Sequence, residues 1–144
     1  MNRDLKESSA IQTHINILQN VINRMASNSA NSKTWAITII SAIIVLLIDK
    51  SKTNVFYIAY IPLVMFFLLD CFYLGLERHF RDLYNKFIIN MESEKFDFKI
   101  VYKLQGPKKL LEKIKCTVFG AWSFSTTPFY AILGILIFII SKIS

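Results

Sequence analysis

Three apolar blocks, separated by segments that hold nearly all the charge, constrain this chain more than any other feature. Between Lys33 and Asp49 lie 15 consecutive uncharged residues. A second block runs from Asn54 to Leu76, interrupted only by Asp70, and a third from Ala121 to Ser141 carries no charge at all. Apolar residues gathered in blocks of this length are the signature of membrane spans. The sequence therefore predicts a mainly α membrane protein with three transmembrane helices at 27–48, 54–76 and 121–141. The first block sets a length problem. As a helix, 15 residues cover only about 22 Å, against a hydrocarbon core of about 30 Å. That helix must reach upstream to about Ser27, which draws Asn28, Ser29, Asn31 and Ser32 toward the membrane and leaves Trp35 as an interfacial anchor.

The segments between the blocks have patterns of their own. Residues 5–26 read as an amphipathic cytoplasmic helix, with Ile11, Ile15, Leu18, Ile22 and Met25 recurring at heptad-like spacing. Two uses of that seam stay open, packing on its own chain or a helix–helix contact in an oligomer. Pro62 is a candidate kink, tolerated in a membrane where neighbours satisfy the freed carbonyl. The second span is expected to continue as a cytoplasmic helix to about residue 90. Residues 91–120 then read as a small strand-plus-helix insertion. Phe96, Phe98, Ile100, Tyr102 and Leu104 alternate with mostly polar neighbours, a strand pattern that needs either Lys86–Met91 as hairpin partner or a second chain. Gly106-Pro107 ends that strand and opens a helix with a lysine-rich face, suited to a membrane surface.

Charge sets the orientation. Of 17 Lys and Arg, four lie in the N-terminal segment through Lys33 and ten between the second and third spans, leaving two in the first turn and one in the tail. The positive-inside bias puts the N-terminus in the cytoplasm and the C-terminus outside.

Depth can be counted from the turn at Ser51. Asn31 lies 20 residues before it and Asp70 lies 19 after, about 30 and 28 Å inward on antiparallel helices. Asn28 matches Tyr73 in the same way, and Arg24 matches Glu77. Each trio shares one helix face. The expectation is an intramembrane polar layer of Arg24, Asn28, Asn31, Lys33, Asp70, Tyr73, Glu77 and Thr126. Within it we expect an Arg24–Glu77 ion pair and amide hydrogen bonds from Asn28 and Asn31 to Tyr73 and Asp70. Lys33, half a turn round, is expected to snorkel to headgroups or meet a neighbouring subunit. The layer acts as glue between helices or marks a gate.

Other chemistry finds no support. The net charge of +7 flanks the apolar blocks, as headgroup contacts require, so no specific nucleic-acid partner is expected. Cys71 and Cys116 lie in apolar surroundings without metal or redox spacing. His14 and His79 are isolated, the four glycines form no phosphate loop, and Glu92, Glu94 and Asp97 lack calcium-loop spacing. No catalytic residue, cofactor site or metal site is expected, and the chain does not read as an enzyme. The polar opening Met1–Ser9 lacks the layout of a signal peptide.

The run Asn23-Arg24-Met25-Ala26-Ser27-Asn28-Ser29 with Lys33-Thr34-Trp35 resembles the opening of a widespread group of small, mostly uncharacterised bacterial multi-pass membrane proteins. Asp70-Cys71-Phe72-Tyr73-Leu74, Glu77 to Tyr84, and Pro128-Phe129-Tyr130 extend the resemblance. The layout is also similar to SLATT-type membrane effectors of bacterial conflict systems. It departs from them in its third span and in the 96–104 strand. That resemblance implies a homo-oligomeric effector of the bacterial inner membrane, which permeabilises or disrupts it in antiphage defence. A cytosolic sensor or activating ligand would trigger it. The alternative is a non-conducting anchor or scaffold subunit that docks a cytosolic partner.

Overall fold

The computed structural model describes residues 9–49, 53–91, 106, 117–118, 123 and 125–143. Three helices carry the fold: α1 Ser9–Asp49, α2 Tyr60–Met91 and α3 Thr127–Ile143. A 3-10 segment, Thr53–Ala59, leads into α2. The described residues are almost entirely helical, with no strand among them. The predicted strand at 96–104 lies outside the described residues. Its proposed hairpin partner does not: Lys86–Met91 is the last part of α2, with Phe87 and Met91 buried, so it is no strand. Helix wins there because Phe80, Phe87 and Met91 recur at helical spacing and meet an apolar face on α1.

α1 and α2 form a long antiparallel hairpin, and its arms match in length. The 41 residues of α1 rise about 61 Å at 1.5 Å each. The 32 residues of α2 rise about 48 Å, and the seven 3-10 residues add about 14 Å. Ile11 accordingly packs on Phe87 and Met91 at the open end. The 3-10 stretch has a local cause. Pro62 has no N–H, and its ring excludes an α-helical approach to the carbonyl of Ile58, so the chain tightens before Pro62. The expected kink is this change of helix type, with Pro62 sitting in the first turn of α2 where a proline is tolerated.

One seam holds the hairpin. Ile11, His14, Leu18, Ile22, Met25, Ser29, Ser32, Ala36 and Ile40 are buried in succession along α1, three or four residues apart. Leu18, Ile22 and Met25 pack with Phe80, Tyr73 and Leu83 of α2, so the 11–25 seam packs within its own chain. α1 runs through residue 26 without a break, joining the predicted amphipathic helix and first span into one rod.

α3 packs at the turn end of the hairpin. Tyr130 and Ile137 join Ala36, Ile40, Ala59 and Phe66 in one cluster. The Tyr130 hydroxyl donates to the Phe66 carbonyl at 3.1 Å, and the Tyr60 hydroxyl to the Gly134 carbonyl at 3.1 Å. α1 and α2 are long and apolar enough to cross a membrane, and α3 is a shorter apolar helix of 17 residues. Only 17% of the most apolar stretch of α1 is buried, unlike the core helix of a soluble domain.

Candidate functional site: a buried ion pair between the long helices

Along the seam of α1, large side chains give way to Ser29, Ser32 and Ala36 just where α2 presents Asp70. Small residues let two helices approach closely, and the approach removes Asp70 from solvent altogether. An isolated carboxylate there would be costly, so it must be paired. Lys33 Nζ lies 2.6 Å from Asp70 Oδ2. The Ser29 hydroxyl donates to Asp70 Oδ1. Lys33 Nζ also donates to Ser29 Oγ at 3.4 Å, one helical turn back. Each of the three groups thus touches the other two. Asp70 Oδ2 has no hydrogen bond of good geometry, so its attraction to Lys33 is chiefly Coulombic.

The sequence-predicted layer is assembled in part, with different partners. Asp70 sits opposite residues 29–33, the depth expected for it, but α1 is turned by about one residue, or roughly 100°. Ser29 and Lys33 face Asp70 in place of Asn28 and Asn31. Asn31 is exposed, and Asn28 is half-buried, with its carbonyl accepting from the Ser32 hydroxyl at 2.9 Å. Arg24 is exposed and forms no pair with Glu77, which is bound instead by Arg81 Nε at 2.8 Å, one turn along the same helix. Tyr73 packs in the Leu18–Ile22–Met25–Phe80 cluster. Lys33 turns to the Asp70 carboxylate, with its side chain only 19% exposed, rather than outward as expected.

The cause of the rotation is readable in the chain. The Ile11–Met25 seam fixes which side of α1 faces α2, and continuing it by fours and threes arrives at Ser29, Ser32 and Ala36. A reading that ranked residues by polarity chose Asn and Arg and passed over two serines. Thr126 is fully buried just before α3, and its hydroxyl has no hydrogen-bond partner among the described residues. Its carbonyl accepts from the Tyr130 amide at 3.2 Å, as an N-cap does.

No family model, curated protein or solved structure matches the chain. The reading of function rests on the geometry and on the resemblance given above.

Chemically, the Lys33–Asp70–Ser29 cluster is a closed, neutral clasp. No group of three or more His, Cys, Asp or Glu suited to a metal occurs among the described residues. A different kind of surface lies toward the open end of the hairpin. Gln19, Asn23, Arg81, Tyr84 and Asn85 line an open polar groove beside Ile22.

Proposed function

We propose that this chain is a multi-pass protein of the bacterial inner membrane, and that it works as a homo-oligomeric effector that permeabilises the membrane in antiphage defence. The observation that carries the membrane setting is an exposed apolar belt. Val45 and Leu46 of α1, Ile61 and Met65 of α2, and Ile135 and Phe138 of α3 are all more than 45% exposed, and they ring the bundle at its turn end. In water such a belt would drive aggregation; lipid covers it at no cost. α3 is hydrogen-bonded alongside α2, and its 17 residues, about 25 Å, make it the third span if Ser123–Thr126 enters the inner leaflet. The charge bias orients the bundle with the open end of the hairpin in the cytoplasm.

The permeabilising step belongs to an assembly. Within one copy, Ala36, Ile40, Phe66, Tyr130 and Ile137 pack together and close any path between the helices. A route for ions therefore forms between copies. The resemblance to SLATT-type effectors supplies the direction of this reading. Induced expression in bacteria, followed with a membrane-potential dye, tests it. Depolarisation is expected once the activating sensor or ligand is present, and an unchanged potential in that condition overturns the effector reading.

The groove at Gln19, Asn23, Arg81 and Asn85 favours a second reading, a non-conducting anchor that docks a cytosolic partner. Under that reading Asn23→Trp abolishes co-purification of the partner and never alters the potential.

A further inference from the structure

The three helices differ in what they turn outward. Across the belt, the exposed side chains of α2 are Ile61, Val64, Met65, Leu68 and Leu69, and those of α3 are Ile132, Ile135, Leu136, Phe138 and Ile139. On α1 the middle of the outward face is polar. Asn31, Thr34, Thr38 and Ser41 are exposed and fall at spacings of three, four and three, diametrically opposite the Ser32–Ala36–Ile40 seam. Trp35 and Leu46 flank this line on one side, Ile37 and Ile48 on the other. A polar line between two apolar ridges is out of place against lipid tails.

Thr34 and Thr38 donate to the carbonyls of Ala30 and Thr34 at 3.3 and 2.9 Å, which meets their own donor needs while leaving the hydroxyl oxygens free to accept. Asn31 and Ser41 make no such bond among the described residues. The Asn31 amide is a donor and an acceptor at once, so its natural complement is a second Asn31. The line is also uncharged from Asn31 to Ser41, so identical faces meet without repulsion. Arg24, exposed farther along toward the open end, is beyond the belt and in water when copies come together.

We propose that the Asn31–Thr34–Thr38–Ser41 face of α1 turns toward the axis of a homo-oligomer, where the occupant is the same face of further copies of this chain. This deepens the effector reading and rests on it for the membrane setting. The polar line would be the surface along which copies meet, and the aliphatic faces of α2 and α3 would stay in lipid. Val45, next on the same face toward the outside, would close the polar stretch.

The test is single-cysteine cross-linking of the full chain in native membranes, in a background carrying Cys71→Ala and Cys116→Ala. Cysteines at 34, 38 and 41 are compared with cysteines at 37 and 46 on the flanks and at 65 and 135 on the other helices. Under copper–phenanthroline oxidation, dimer formation at 38 and 41 is expected to exceed that at 37, 46, 65 and 135 by several-fold. Equal or greater dimer at the flanks or at 65 overturns the proposal, as does a monomer at every position. Asn31→Leu serves as a second variant, with folding checked by its helical circular dichroism. Loss of cross-linking at 38 supports the amide contact, and unchanged cross-linking overturns that part. The dye assay separates the two levels. Cross-linking along the line without depolarisation keeps this interface and removes the effector reading; depolarisation with cross-links only at the flanks does the reverse.

Discussion

The two ends of the hairpin solve the same packing problem with different residues. Toward the open end, Ile11, Leu18, Ile22 and Met25 meet Phe80, Phe87 and Met91, large side chains on both helices. Toward the turn, the seam of α1 passes through Ser29, Ser32 and Ala36 before Ile40 meets Ala59 and Phe66; an ion pair joins α1 to α2, and two tyrosine hydrogen bonds join α2 to α3. On the proposed membrane setting, the change follows from what lies outside. At the water-exposed end, burying a phenylalanine removes apolar area from water, which drives association. Inside a bilayer that drive is absent, because the tails are as apolar as the core, and close approach through small residues and polar bonds must hold the helices instead. A single seam on α1 serves both ends by changing residue size partway along.

The sharpest way to break this contrast is to cut the same kind of cavity at each end. Phe87→Ala is expected to cost about 3–5 kcal/mol, the range for a buried phenylalanine in water. Ile40→Ala, although Ile40 is almost fully buried, loses packing only and is expected to cost under about 2 kcal/mol. Denaturant unfolding in lipid nanodiscs, followed by helical circular dichroism, measures both. Equal costs would mean that the turn end is not embedded in lipid.

The junction between the ends comes next. Lys33→Met strands the Asp70 carboxylate at a fully buried site, at an expected cost on the order of 3 kcal/mol. The double variant Lys33→Met/Asp70→Leu removes both charges and is expected to recover most of that loss. The same unfolding measurement gives the coupling energy, and additive single effects would show that the 2.6 Å pair contributes nothing to the clasp.

Much of this was legible before any coordinates. The depth of Asp70 follows from counting residues to the turn, whereas the end of α2 is ambiguous in sequence, because Lys86–Met91 also fits a hairpin strand. What was lost was rotation. Depth depends on residue number alone, whereas facing depends on which of several stripes is buried, and α1 carries two: the apolar seam and the polar line through Asn31. The seam decides, because Ile11, Leu18 and Ile22 leave water only by facing α2. Asn31 and Arg24 are then carried outward whatever their polarity. The seam also read as a candidate oligomer contact, since a heptad pattern states that a helix has a partner without naming which one. The 3-10 segment before Pro62 was visible as a proline effect but not as a particular helix type.

The smallest effect tests how polar bonds act at the turn end. Tyr130→Phe removes the hydroxyl that donates to the Phe66 carbonyl at 3.1 Å while leaving the ring in its cluster. The carbonyl keeps its own helical hydrogen bond, so no buried acceptor is orphaned and only an extra bond is lost. Interhelical hydrogen bonds in membranes average about 0.6 kcal/mol, and that is the expected cost here. Tyr60→Phe, at a half-buried site and against Gly134 across α3, is expected to cost the same or less. The two substitutions act on one contact, so the double variant reports whether α3 is held by the bonds or by the packing of Ile137 and Tyr130. A double cost near about 1 kcal/mol, with α3 still protected from hydrogen exchange, assigns the docking of α3 to packing. Exchange of the whole helix in the double variant would mean that two hydroxyls are what keep α3 against the hairpin.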